Sequence, residues 1–224
     1  MKQFWNSIKI IMWKDILLEL KSKDVIISIV SFAVLALVIF NFAFGSSPQL
    51  TPLIAPGAIW VSIAFAGVIG LNRIFVAEHD QGNIIGLLLT PVSREAIYFG
   101  KMLSIFIFMI ISELILLPIY AILFNISILH PIFFLIVILG TLGFASLGTL
   151  FSAMAVNTRS REIMLPIMFL PIVMPIIIGS VVASGKILDG GDWSDASRGI
   201  NIIFVFDVLS MTVSPILFEQ IIQE

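Results

Sequence analysis

The sequence predicts an all-α, polytopic integral membrane protein. Six transmembrane helices are expected, with an interfacial helix before the first and a short helix in the loop between the second and third. Three observations carry this. Apolar residues fill 59% of the 224 positions and charged residues only 12%, about half the charged share of a soluble domain. A chain this short cannot hide that excess in one water-soluble core. The apolar residues also fall in runs near the roughly 20 helical residues needed to cross a hydrocarbon core of about 30 Å.

The elements follow in order. Residues 1–24, "MKQFWNSIKIIMWKDILLELKSKD", mix lysines and acids and show no small-residue cleavage site, so they read as a retained arm and not a secretory signal. Phe4, Ile8, Ile11 and Leu18 fall on one side of a helix there. Trp5 and Trp13 suit an interface, and Glu19 can pair with Lys23 at i,i+4. The expected spans are 25–44, 56–71, 97–124, 131–156, 163–183 and 200–222. The second is rich in small residues, which favours close helix packing. The third is long enough to tilt or to leave its first turns in the interface. The fifth carries Pro166, Pro171 and Pro175. Each removes a backbone donor and crowds the preceding turn, so a kink or break is expected. No soluble domain fits between these spans, and the whole chain, 1–224, reads as one transmembrane domain.

Lys and Arg set the orientation. Ten of the twelve lie in the N-terminal arm and alternate loops, and two, Lys186 and Arg198, lie in the loops of the other side. The positive-inside rule then places both termini in the cytoplasm.

The residue inventory excludes several functions. A net charge of −2 gives no nucleic-acid footprint. The absence of Cys removes disulfides, thiolate metal sites and Cys nucleophiles. No phosphate-binding loop of either glycine-rich type is present, so the chain is not expected to hydrolyse ATP by itself. His79 and His130 fall on opposite sides and read as solvated loop residues, and no metal site is expected. Asp189, Asp192 and Asp195 in the outer loop do not match an EF-hand spacing.

Two acids lie within spans. Glu113 is deep in the third, where an ionised acid costs about 3 kcal/mol. It either lines a polar path or is a protonated, hydrogen-bonded structural group. Asp207 is expected nearer the outer side of the sixth span, where a structural role is favoured.

The loop 72–96 is the most unusual stretch. "NIIGLLLTP" can form a short helix carrying Ile84, Ile85, Leu87, Leu88 and Leu89 with no lipid to bury them. Pro91 disfavours helix at Thr90, and Ser93 can cap the helix opening with Arg94. Residue chemistry leaves two readings: the segment packs back on its own bundle or membrane, or it docks on a partner. Arg159, Arg161 and Glu162 leave a similar pair open, plain charge anchoring or a second cytoplasmic contact.

The stretch "LNRIFVAEHDQGNIIGLLLTPVSREAIYFGK" resembles the cytoplasmic loop of ABC-type exporter permeases. With "KDILLELKSKD", "PGAIWVSIAFAGVIGLNR" and "NTRSREIMLPIMFLPIVMP", the chain more narrowly resembles the haem exporter protein B family, the permease subunit of cytochrome c maturation. The resemblance implies that Glu78, Gly82, Leu87, Leu88, Pro91 and Arg94 form the region coupling to a separate ABC ATPase subunit. It also implies a likeness in assembly: a homodimer, beside a haem-handling membrane subunit with a tryptophan-rich outer loop, in a bacterial inner membrane or its mitochondrial counterpart. ATP would act through the partner, and haem would be cargo, with no cofactor held by this chain. A permease for a drug, lipid or polysaccharide, or a non-transporting scaffold, remains open. An open polar path along Glu113 favours transport, and a closed bundle favours the scaffold.

Overall fold

The computed structural model describes residues 2–44, 51–80, 92–156 and 161–221. Among them are seven helices and no strand: α1 (Lys2–Ser22), α2 (Asp24–Phe44), α3 (Thr51–Asp80), α4 (Arg94–Phe124), α5 (Pro131–Val156), α6 (Arg161–Leu188) and α7 (Trp193–Ile221). Six of these, α2 to α7, are long and apolar enough to cross a membrane. Six crossings bring the starts of α2, α4 and α6 to one face, called here the α1 face. Arg94, opening α4, donates to the carbonyl of Glu219 near the end of α7 at 3.3 Å, which fixes those two ends together.

The core lies around α5. Every residue from 143 to 153 is buried, because α3, α4, α6 and α7 all pack on this helix. Small residues make that crowding feasible. A Cβ at Gly140 would come within 2.6 Å of the Trp60 ring of α3. On α2 only a narrow stripe, Val25, Ile29, Ala33 and Leu37, is buried. Its other sides expose Ile27, Leu35, Ile39 and Phe42, and α7 likewise exposes Phe204, Val205, Val208 and Leu209. Large apolar side chains turned outward on adjoining turns are what a lipid solvent calls for.

Several boundaries differ from the sequence expectation, each for a local reason. α3 opens at Thr51 and continues to Asp80, so Pro56 is inside it and His79 belongs to a helix end and not to a loop. α6 is helical throughout despite Pro166, Pro171 and Pro175, and the expected break is absent. Neighbouring helices commonly compensate such prolines in membrane bundles. α6 reaches Leu188 and α7 starts at Trp193, so the expected long outer loop shrinks to a tight turn. Gly190, at φ +85°, ends α6 in the left-handed conformation that glycine adopts freely. The Gly191 N–H then returns to the Lys186 carbonyl at 2.9 Å. On the far side of the turn, Asp195 Oδ2 accepts the Asp192 N–H at 3.1 Å, the reach-back half of a capping box.

The arm before the first span also differs. α1 buries Ile8, Ile11, Asp15 and Glu19, spaced three or four apart, whereas Leu18 is half exposed. The buried face rests on α4. Gly100 admits Ile11 closely, since a Cβ there would lie 2.9 Å from the isoleucine. Glu19 turns to the backbone, not to the expected Lys23 partner. Its Oε1 accepts the N–H groups of Val25 at 2.9 Å and Ile26 at 3.0 Å, capping α2 after the chain turns at Lys23, φ 59°. Trp5 and Trp13 remain outward, as an interfacial helix requires.

Candidate functional site

The expected coupling residues are only partly within view. Gly82, Leu87, Leu88 and Pro91 lie outside the described residues, as does Arg159. Glu78 sits in the last turns of α3, and Arg161 and Glu162 open α6; their side chains are outside the described set. Arg94 starts α4 as expected. Ser93 occupies the cap position, with extended backbone, but its side chain makes no capping bond. The helix is begun instead by its carbonyl, which accepts the Ile97 N–H at 3.2 Å.

Just beyond Arg94 the α1 face holds a buried ion pair that sequence reasoning missed. Lys101 Nζ lies 2.9 Å from Asp15 Oδ2, with both side chains almost wholly enclosed. Ser104 donates to the same oxygen at 3.3 Å, and Lys14 Nζ stands 3.1 Å from Oδ1. The pair joins α1 to the early turns of α4. A charge at Lys101 inside an apolar run was a signal that something must meet it.

The intramembrane acids are both buried, at 2% exposure for Glu113 and 3% for Asp207. Glu113 Oε1 accepts from Thr141 Oγ1 at 2.7 Å, while Oε2 has no hydrogen-bond partner among the described residues. Thr141 lies between Gly140 and Leu142 in α5, where its hydroxyl is the donor the acid needs. The enclosed space beside Thr141, reaching Trp60 and Phe144, measures about 10 Å³. That is about the minimum for one water. Glu113 does not line this space, and among the described residues its side chain is enclosed.

Asp207 is not near the outer end. Because α7 begins at Trp193, it falls in the middle of the helix. Its carboxylate enters the space left by the missing side chain of Gly143, midway along α5, where a Cβ would collide with Oδ1. Neither oxygen has a hydrogen-bond partner among the described residues. Positions 141 and 143 point to roughly opposite sides of a helix, so the two acids share a depth but flank α5 on different sides.

Two other polar side chains have local partners. Trp60 Nε1 donates to Ser184 Oγ at 3.1 Å, joining α3 to α6. His130 is half-buried, and its Nδ1 accepts the Ile132 N–H at 3.3 Å at the start of α5. It is a helix-capping residue more than a solvated one. Among the described residues no group of three His, Cys, Asp or Glu is placed to hold a metal. Between α3 and α6 an open apolar groove of about 580 Å³ is bounded by Phe65, Pro171, Met174 and Val181.

Comparison with known proteins agrees with this architecture. A family model described as "CcmB protein" matches residues 6–223. Three curated relatives carry the name Heme exporter protein B. That of Pseudomonas aeruginosa is 24% identical over 148 residues, 66% of each chain. That of Rhodobacter capsulatus is 25% identical over 151 residues, 66% of this chain and 68% of the relative. That of Bradyrhizobium diazoefficiens is 21% identical over 187 residues, 83% of each chain. With a family match that runs almost from end to end over six membrane-spanning helices, this chain belongs to the CcmB protein family.

Proposed function

We propose that the whole chain is one permease domain, the membrane subunit of an ATP-driven complex that handles haem for cytochrome c maturation. The observation that carries this reading is the family match over residues 6–223, together with relatives named for haem export. The ATPase is a separate chain, consistent with the lack of a phosphate-binding loop. The segment from Glu78 through Gly82, Leu87, Leu88 and Pro91 to Arg94 meets it, with the apolar pair filling a groove and the charges setting register. Arg159, Arg161 and Glu162 make the second contact. ATP-driven closure of two ATPase chains moves this face, and α4 carries the motion inward as a rigid body. The protein works as a homodimer beside a haem-handling subunit with a tryptophan-rich outer loop. It does so in a bacterial inner membrane with both termini cytoplasmic.

A second reading has an observation of its own. The burial of Glu113 against Thr141 favours a subunit that transmits ATP-driven motion to haem-handling neighbours without itself conducting haem. One experiment addresses both. The chain is purified from native membranes in mild detergent, its companions are identified by mass spectrometry, and ATPase activity is assayed in the eluate. Recovery of an ATPase and a tryptophan-rich membrane protein is expected, and a Leu87→Asp, Leu88→Asp variant should lose the ATPase. Normal ATPase recovery with that variant would refute the docking assignment, and an ATPase arriving alone would remove the haem assignment.

A further inference from the structure

We propose that Asp207 is a proton-exchanging carboxyl in the interior of the bundle, served from the α1 face by a column of hydroxyl groups. The column begins on α7. Asp207, Ser210 and Ser214 recur at spacings of three and four, so they share one stripe of the helix, and all three are buried. The stripe covers about 10 Å along the axis. It faces α5, where Gly143 receives the Asp207 carboxylate and Ser146 follows one turn closer to the α1 face. There the Tyr98 hydroxyl, fully buried, meets the Ser146 hydroxyl at 2.8 Å and donates to the Ser146 carbonyl at 3.0 Å, with Ser214 buried on the facing stripe of α7. Tyr98 belongs to the second turn of α4, one turn from Arg94, whose guanidinium is tied to the end of α7. The column thus runs from mid-bundle toward the α1 face and stops at the buried Tyr98 hydroxyl, where Phe218 packs on the ring at 5.4 Å.

The site is built for a proton and not for a metal. Asp207 offers two oxygens that no described donor satisfies, and no second ligand group stands beside it. Among the described residues no ion pair compensates it. α5 contains no ionisable side chain, and α6 has Arg161 and Glu162 at one end and Lys186 at the other, with none between. On α4 the groups are Arg94, Glu95, Tyr98 and Lys101 toward the α1 face, Glu113 across α5, and Tyr120 farther on. On α7 itself Asp195, Arg198 and Glu219 lie at the ends. A carboxylate with neither counter-ion nor donor is unstable in such surroundings, so the packing seen here holds the neutral acid. When α7 moves off α5, water enters at Gly143. The proton then leaves a carboxyl oxygen for that water, which passes it to the hydroxyls of Ser214, Tyr98 and Ser146; each takes one proton and releases another, and the last goes to water entering from the α1 face. Only O–H bonds are broken and re-formed, and the reverse transfer restores the acid. Rearrangement of α7 is thereby linked to uptake or release of a proton.

The test uses the full chain in phospholipid vesicles and infrared spectroscopy of its protonated-carboxyl bands, followed after transfer to D2O. Asp207→Asn identifies the Asp207 band, and Glu113→Gln removes the other buried acid from the comparison. The Asp207 band is expected to exchange in the parent. Tyr98→Phe should slow that exchange by about a hundredfold, the scale on which a positioned proton-transfer group acts. A paired Ser146→Ala, Ser214→Ala variant serves if Tyr98→Phe loses its helical circular dichroism. Absence of a protonated Asp207 band, a band that never exchanges in folded protein, or exchange at the parental rate in the folded column variants would each overturn the proposal.

Discussion

The buried Asp15–Lys101 pair gives a prediction whose size follows from its surroundings. Replacing Lys101 by Met leaves Asp15 enclosed between α1 and α4 without its closest counter-ion. Breaking a buried pair from one side costs about 3–5 kcal/mol. Here Lys14 at 3.1 Å and Ser104 at 3.3 Å stay behind, which places the expected loss near the lower end, about 3 kcal/mol. Removing both charges, as Asp15→Leu with Lys101→Met, should recover most of that loss, since apolar replacements of a buried pair are often neutral. The chain has no cysteine, so a single Cys introduced at the buried Ile8 reports when α1 lifts from α4. On that background Lys101→Met should raise the rate of maleimide labelling about 100-fold, the equivalent of roughly 3 kcal/mol. The double variant should stay near the parental rate. Parental labelling in Lys101→Met, or a double variant as fast as the single one, would show that the pair does not hold α1 in place.

Three further outcomes are expected. Thr141→Val leaves Glu113 without its donor and should lower resistance to SDS unfolding by about 1–3 kcal/mol; adding Glu113→Leu should restore part of it, and an unchanged Thr141→Val variant would deny the bond any weight. Gly199→Ala places a Cβ 2.5 Å from the Gly179 carbonyl, so the helices must part at a cost of about 1–3 kcal/mol, measurable as a lower melting midpoint in detergent. Glu19→Ala removes the acceptor of two amides and should cost about 1 kcal/mol, the usual worth of a cap; hydrogen exchange should accelerate at Val25 and Ile26 and not at Ala33.

The six crossings were legible because each is a nearly unbroken apolar run, and no water-soluble core could absorb them. Their ends were not, because caps outside the apolar runs decide them. Gly190 and Asp192 set the α6–α7 turn, yet in sequence they look like part of a long polar loop. The prolines of α6 mislead for a related reason: their penalty is local, while their compensation comes from neighbouring helices. At the site, Glu113 and Asp207 stood out as acids in apolar runs. The groups that meet the buried acids did not, since Thr141 is 28 residues from Glu113 and Ser104 is 89 from Asp15. Asp207 was placed too near the outer side because the start of α7 was set seven residues late. The missing side chain at Gly143 that receives it leaves no periodic trace.

The short turn between α6 and α7 also bears on the order in which the molecule is assembled. Gly179 and Gly199 touch backbone to backbone across a turn of four residues, so α7 finds its partner as soon as it has left the ribosome and entered the bilayer. α1 is in the opposite position. It is synthesised first, but its buried face waits for α4, with Asp15 kept in water or among headgroups until Lys101 arrives. Local contacts close quickly and distant ones late. The helix α1, made before the other six, is therefore among the late pieces to lock. A chaperone or partner subunit that meets the nascent chain finds this helix, with Asp15 not yet joined to Lys101, before the rest of the bundle exists.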